Sequence, residues 1–248
     1  MRLFVFLDYD GTLTPIVSTP EKAYLPRDMK ELLRWLAGKE SVKVAIISGR
    51  SLKDLKKKVG LKGIIYAGNH GLEIEDRGKI LHVPISNEKS EAVKRVYIIA
   101  KKVFGNIKGA LVENKGMTVS IHYRMVDARE HVFIKNQIYT LFGSYIRKKL
   151  IIIEKGKMVY DVKPVSKWNK GEAILWILKK YRFSKLGKAG LPIYIGDDKT
   201  DEYAFQALKG KGITIKVGKR GKTHAQSRLK DARAVKEYIK ELANMDIR

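Results

Sequence analysis

Short apolar runs punctuate the chain, and each ends in a polar or glycine-rich stretch. Leu3–Leu7 leads into Asp8-Tyr9-Asp10-Gly11-Thr12-Leu13, and Val42–Ile47 into Ser48-Gly49-Arg50. Residues 64–67 lead into Gly68-Asn69-His70-Gly71, 192–195 into Gly196-Asp197-Asp198-Lys199-Thr200-Asp201, and Ile213–Val217 into Gly218. Continuous apolar runs of this length predict strands covered on both faces, as in a parallel sheet. Helical spacing lies between them. Met29, Leu32, Leu33 and Leu36 make one stripe, and Val235, Tyr238, Ile239 and Leu242 another. Ser51 and Asp54 open a helix that Gly60 ends. Asn169 or Ser166 caps the stretch 170–181, where Ala173, Ile174, Ile177 and Leu178 share a face. Alternating strands and helices predict an α/β domain with right-handed crossovers.

The middle of the chain has a different rhythm. Residues 91–104 form an amphipathic helix, followed by a hairpin-like pair around 105–109 and 117–123. A second helix carries Phe133 or Ile134, Ile138, Leu141, Phe142 and Tyr145, and a second strand pair, 150–154 and 158–162, turns at Lys155-Gly156. This order suits an antiparallel sheet with helices on one face. The expected organisation is a core from 1–81 and 165–248, with an inserted α+β domain at 82–164.

Composition narrows the function classes. The 248 residues are 44% apolar and contain no cysteine, which excludes disulfides, thiolate metal sites and a cysteine nucleophile. The longest apolar runs are far short of a membrane span, and Asp8 arrives too soon for a signal peptide. A soluble, cytoplasmic protein, monomeric and not membrane-bound, is expected. Lys plus Arg is 51 against 26 for Asp plus Glu, a net +25. Such an excess attracts polyanions, so a basic nucleic-acid-binding protein is a reading from a different class. The basic residues are spread along the chain, however, and a small anionic substrate explains the charge as well. Trp35, Trp168 and Trp176 read as packing residues rather than base-stacking platforms.

Ligands of open parallel sheets bind beyond the carboxyl ends of the strands. Asp8, Asp10, Ser48, Asn69, Asp197, Asp198 and Asp201 all fall at or just past such ends. On an extended strand end, Asp8 and Asp10 face one side, and two carboxylates there stay ionised only if a cation joins them. The group Asp197, Asp198 and Asp201 completes an all-oxygen site, which favours magnesium. Acidic residues also cap helices and fill turns, a reading that accounts for one pair better than for two clusters. Ser48, between a strand and a helix start, suits an anion. Lys170 at a helix start opposes the helix dipole unless an anion is bound there; an ordinary surface lysine is the other reading. His70, in a Gly-flanked loop, is either a base or a group that orients substrate or backbone.

These residues carry a family resemblance. The runs 8–13 and 48–50, the pair Lys170-Gly171 and Asp197-Asp198 resemble the four motifs of the haloacid dehalogenase superfamily of phosphotransferases. Gly68-Asn69-His70-Gly71-Leu72-Glu73, Val112-Glu113-Asn114-Lys115-Gly116, His122-Tyr123-Arg124, Gly196-Asp197-Asp198-Lys199-Thr200-Asp201-Glu202 and Val217-Gly218-Lys219-Arg220-Gly221 resemble the trehalose-6-phosphate phosphatases within it. The likeness covers nearly the whole chain. Lys163-Pro164 stands where that family commonly has Arg-Pro, and Asn69 where Ser is common; both replacements keep hydrogen-bonding character.

The resemblance implies a Rossmann-like parallel-sheet core with an inserted cap of the C2 type. It implies magnesium-dependent hydrolysis of a sugar phosphate, trehalose 6-phosphate first. Sucrose phosphate and mannosylphosphoglycerate are the rival substrates. Asp8 is then the nucleophile that forms an aspartyl-phosphate, and Asp10 the acid and base. Magnesium would be held by the Asp8 carboxylate, the Asp10 backbone carbonyl and Asp197, with Asp198 or Asp201 in support. Ser48 and Lys170 would bind phosphoryl oxygens. Arg50, Asn69 and His70 in the core and Glu113, Lys115, Arg124 and Glu154 in the insert are the expected substrate contacts. Glu113 and Lys115 share parity with apolar Met117, Val119, Ile121 and Tyr123, so a turn or bulge at Gly116 is expected to re-aim them. An exposed ion pair in the turn is the alternative.

Overall fold

The five side chains of β1 (Leu3–Leu7) are all buried, and they alternate. Leu3, Val5 and Leu7 enter one apolar layer, Phe4 and Phe6 another, as the two-residue period of a strand requires. This computed structural model describes residues 2–181 and 190–245. The chain forms two compact units, residues 1–82 with 168–248, and residues 83–167.

The first unit is built on one sheet. Its other strands are β2 (Val42–Ile47), β3 (Ile65–Gly68), β4 (Glu73–Asp76), β5 (Lys79–His82), β10 (Leu191–Gly196), β11 (Ile213–Val217) and β12 (Ser227–Leu229). The order is β12-β11-β10-β1-β2-β3-β4-β5. Pairing is parallel from β12 to β3 and antiparallel for β4 and β5. Helices α1 (Arg27–Gly38), α2 (Leu52–Val59) and α7 (Ala232–Asn244) send Met29, Leu33, Leu55, Val235 and Ile239 into the layer with Val5. Helices α5 (Lys170–Lys180) and α6 (Glu202–Ala207) send Ile174, Ile177 and Phe205 into the layer with Phe6. With both faces covered, the continuous apolar runs follow.

Local signals set the helix ends. The Ser51 hydroxyl accepts from Asp54 N, and Gly60, at φ 58°, closes α2 in the left-handed conformation. Asn169, not Ser166, caps α5 by accepting from the N–H groups of Gly171 and Glu172. The hairpin β4–β5 and the edge strand β12 were not expected from the apolar pattern. Three of the four β5 side chains are exposed, so little alternation marks it. Its turn is left-handed at Arg77 and Gly78, the geometry of a tight two-residue hairpin. Trp168 and Trp176 pack on the Phe6 layer as expected. Trp35 does not: it is half exposed, with the Lys39 ammonium 5.4 Å over its ring.

The second unit contains α3 (Asn87–Phe104), β6 (Leu111–Asn114), β7 (Val119–His122), α4 (His131–Arg147), β8 (Ile151–Lys155) and β9 (Val159–Pro164). Its antiparallel sheet runs β6-β7-β9-β8. Val96, Ala100, Ile138 and Phe142 of the helices pack with Val119, Ile121, Ile151 and Val162 of the strands. Helix α3 begins four residues earlier than its apolar stripe because Ser86 caps it, accepting from Lys89 N. Residues 105–109 are not a strand arm. Gly109 is at φ 86°, and a Cβ there would meet the Met125 carbonyl oxygen at 2.1 Å, so the chain turns there and β6 starts later.

The register places Glu113, Ser120, Asp161 and Glu154 side by side across the four strands. Glu113 therefore shares a face with Ser120, not with Val119 and Ile121. Parity counted through a turn does not carry over. The turn at Gly116 is present, with φ 80° and Lys115 N donating to Thr118 O. Among the described residues no helix is long and apolar enough to cross a membrane.

Candidate active site

The carboxyl ends of β1 and β10 bring acidic residues together. Asp8 follows β1 directly, and its N–H donates to Ile195 O on the neighbouring strand at 2.9 Å. Asp197 follows β10. One carboxylate oxygen from each of Asp8, Asp197 and Asp201 lies within 4.8 Å of the others, and all three residues are buried. Gly11 makes the approach possible: a Cβ there would fall 2.2 Å from Asp197 Oδ2, and its φ of 87° suits glycine.

Lys170, the first residue of α5, enters this cluster. Its Nζ donates to Asp8 Oδ1 and to Asp201 Oδ1, each at 2.7 Å. Tyr194, fully buried on β10, donates its hydroxyl to the same Asp201 oxygen at 2.6 Å. Asp201 Oδ2 accepts from Asp198 N at 2.7 Å. Burial pushes the Asp8 carboxyl well up; Asp201 and Asp197 add to that, against Lys170. Burial works against the Lys170 ammonium, but Asp201 and Asp8 outweigh it and hold its pKa well above the ordinary value. Burial also raises Asp201, yet Lys170 and the hydrogen bonds it accepts hold it below the usual carboxylate range. Burial and the neighbouring Asp201 raise the Tyr194 phenol. Lys170 thus places one ammonium against two of the three buried carboxylates, and carboxylates gathered in this way favour a cation.

Asp10 does not face this cluster. The strand ends at Leu7, so the two-residue alternation that would align Asp8 and Asp10 no longer applies. The Asp10 carboxylate pairs with the Arg50 guanidinium through Nε–Oδ2 and Nη2–Oδ1, both at 2.7 Å. The Asp198 carboxylate caps the turn at 199–201, accepting from Lys199 N at 2.7 Å. Ser48, at the end of β2 and 1% exposed, accepts from Arg50 N through Oγ at 3.2 Å. Asn69 and His70 are buried and both left-handed, at φ 50° and 59°, a conformation rare outside glycine. Backbone N–H groups hold them there, Asn69 N to Arg50 O and His70 N to Ser48 O. The Asn69 amide donates to Glu73 at 2.6 Å. The His70 ring lies against Gly49, where a Cβ would be 2.7 Å from it.

The remaining expected contacts lie in the second unit, Glu113 and Glu154 in the row across its sheet, Lys115 beside Glu113, and Arg124 in the turn after β7. Glu113 is 3.0 Å from His122 Nε2 and 3.8 Å from Lys115 Nζ, which is 3.6 Å from Asp161. Ser120 donates to Asp161. Glu154 pairs with Lys163 at 2.5 Å. Arg124 donates to Lys157 O at 2.7 Å. His122, Ser120, Asp161 and Lys163 were not singled out as contacts. Their signal was register, which the sequence does not print. Tyr194 was also missed, because a tyrosine inside an apolar run reads as packing until its hydroxyl needs a partner.

Comparison with known proteins agrees with this geometry. The trehalose-phosphatase family profile matches residues 6–236. A probable trehalose-phosphate phosphatase of Oryza sativa subsp. japonica is 35% identical over 266 residues, covering 99% of this chain and 70% of its own length. The C-terminal domain of Candida albicans trehalose-6-phosphate phosphatase superposes with a TM-score of 0.84 at 25% identity, over 98% of this chain and 92% of that one. A haloacid dehalogenase-like hydrolase from Bacteroides thetaiotaomicron shares the fold, with a TM-score of 0.67 at 14% identity over 98% of this chain and all of its own. With its acidic cluster at the sheet's carboxyl edge, its haloacid dehalogenase-like fold and these relatives, the chain belongs to the trehalose-phosphatase family and is a phosphoric monoester hydrolase.

Proposed function

We propose that the enzyme hydrolyses trehalose 6-phosphate to trehalose and phosphate, with magnesium bound, through a phosphoryl group carried on Asp8. The observation that carries this reading is the buried cluster of Asp8, Asp197 and Asp201 around Lys170. An all-oxygen donor set of three gathered carboxylates suits a hard divalent cation. The Asp8 carboxylate, Asp197 and the Asp10 carbonyl would hold it, with Asp201 in support. When bound, magnesium would draw charge from the phosphoryl oxygens.

The chain's own groups do the rest. An Asp8 oxygen attacks phosphorus as the bond to the sugar oxygen breaks, and Asp10 gives that oxygen its proton. Asp10 then takes a proton from the water that attacks the aspartyl-phosphate. The bond to Asp8 breaks, which restores the carboxylate and frees phosphate. Lys170 keeps the Asp8 oxygen in place and, with Ser48, meets the charge on the phosphoryl group. Asn69 and His70 line the phosphate end. Glu113, Lys115, Arg124 and Glu154 read the sugar hydroxyls. Support for this comes from the charged side chains Glu113, Lys115, Asp161, Glu154 and Lys163 on the second unit's sheet, which are only 8% to 26% exposed, whereas a merely solvated face would leave them open.

Release of phosphate from a panel of sugar phosphates with magnesium tests the assignment. Trehalose 6-phosphate is expected to give the highest kcat/KM. A higher value for sucrose phosphate or mannosylphosphoglycerate would replace the substrate.

A further inference from the structure

Asp10 lies past the end of β1, in an isolated bridge with Thr14, and its carboxylate is held by Arg50. Arg50 grips both oxygens of the Asp10 carboxylate in a two-bond pairing at 2.7 Å each. The guanidinium is itself fixed from behind. Its Nη1 donates to Asp54 Oδ2 at 2.6 Å, one turn into α2, and its Nη2 donates to Pro20 O at 2.9 Å. It lies 5.3 Å over the ring of Tyr9. The Arg50 side chain is only 6% exposed, whereas that of Asp10 is 43% exposed. Arg50 is thus committed to protein acceptors, with its burial opposed by two carboxylates that keep it charged.

We infer that Arg50 is a positioning residue for Asp10, setting the carboxyl plane for proton transfer to the leaving sugar oxygen, and is not the substrate contact its motif suggests. This rests on the reading of Asp10 as the acid and base. As the ester bond breaks, the proton passes from Asp10 to the sugar oxygen, and the carboxylate formed is the one Arg50 grips. The same carboxylate then accepts a proton from water. A rigid guanidinium fork holds a plane that a lysine ammonium cannot. A sugar alkoxide leaves poorly without a proton, and a dinitrophenolate leaves without one. An effect exerted through Asp10 on the first step therefore depends on the leaving group, and one on the later water step does not.

The test is Arg50→Lys, alone and combined with Asp10→Asn, assayed on trehalose 6-phosphate and on 2,4-dinitrophenyl phosphate. With losses read in kcat/KM, which reports only the steps through formation of the aspartyl-phosphate, we expect a fall of about 100-fold on the sugar phosphate and of less than about fivefold on the aryl phosphate, while kcat falls on both wherever the shared water step limits it. Added to Asp10→Asn, the substitution should cost no more. Equal losses on both substrates, a further loss beside Asp10→Asn, or a rise in KM alone would overturn the inference. Should Arg50→Lys fail to fold, Asp54→Asn loosens the guanidinium from its far side and must show the same leaving-group pattern, smaller. An equal loss on both substrates there would also overturn it. Asp8→Asn separates the two levels. If it turns over like wild type, the parent reading fails. If it is inactive while the leaving-group pattern is absent, only the role of Arg50 fails.

Discussion

Lys170 sits between two carboxylates, and the balance of charge around it governs how the site responds to pH. Burial lifts the Asp8 carboxyl above its ordinary range, with Asp201 and Asp197 acting the same way. Unfolding returns it to about 4. Between the two values the folded chain holds more protons than the unfolded chain, so metal-free stability falls as pH rises through that window. A divalent cation takes the proton's place, so its protection must grow with pH. Thermal unfolding with and without magnesium at about pH 5 and about pH 8 should show the larger gain in Tm at the higher value. An equal or larger gain at the lower value contradicts the cluster as the metal site. Asp8, Lys170 and Asp197 were legible in the sequence because a charged residue next to an apolar run or at a helix start is conspicuous. The partner of Asp10 was not. Its pairing with Arg50 joins residues forty apart in sequence, which no local pattern reveals.

At the scale of elements, the site depends on how closely strand ends approach one another. Gly11 lets Asp197 reach the turn after β1, while Gly63, at φ 80°, faces open space. Both positions strain any other residue, and substitution at either is expected to cost about 1 kcal/mol of stability. Only Gly11→Ala should also displace Asp197 and weaken magnesium binding. Calorimetric titration of Gly11→Ala and Gly63→Ala compares them, and equal affinities would sink the argument from close approach. The doubly covered strands were readable from their unbroken apolar runs. The strands β5 and β12 were not, being respectively exposed and three residues long. The turn expected at Gly116 does take Glu113 off the apolar face, because the hairpin exchanges odd and even positions, so that Glu113 pairs with Ser120.

For the whole molecule, the proposal divides the work between the two units, with chemistry assigned to the first and sugar recognition to the second. Glu113→Ala should then reduce kcat/KM for trehalose 6-phosphate by about 100-fold while a small aryl phosphate loses much less. A parallel loss on both would remove Glu113 from sugar recognition. The net charge of +25 favours encounter with any phosphate ester and so does not separate one sugar from another. The central claim is that distant carboxylates converge so that Asp8 can accept a phosphoryl group. Phosphate release from trehalose 6-phosphate by wild type and Asp8→Asn, with magnesium and with chelator, tests it most directly. Wild-type turnover that requires magnesium and falls by about four orders of magnitude or more in Asp8→Asn is the predicted result. Asp8→Asn activity within about tenfold of wild type would contradict it.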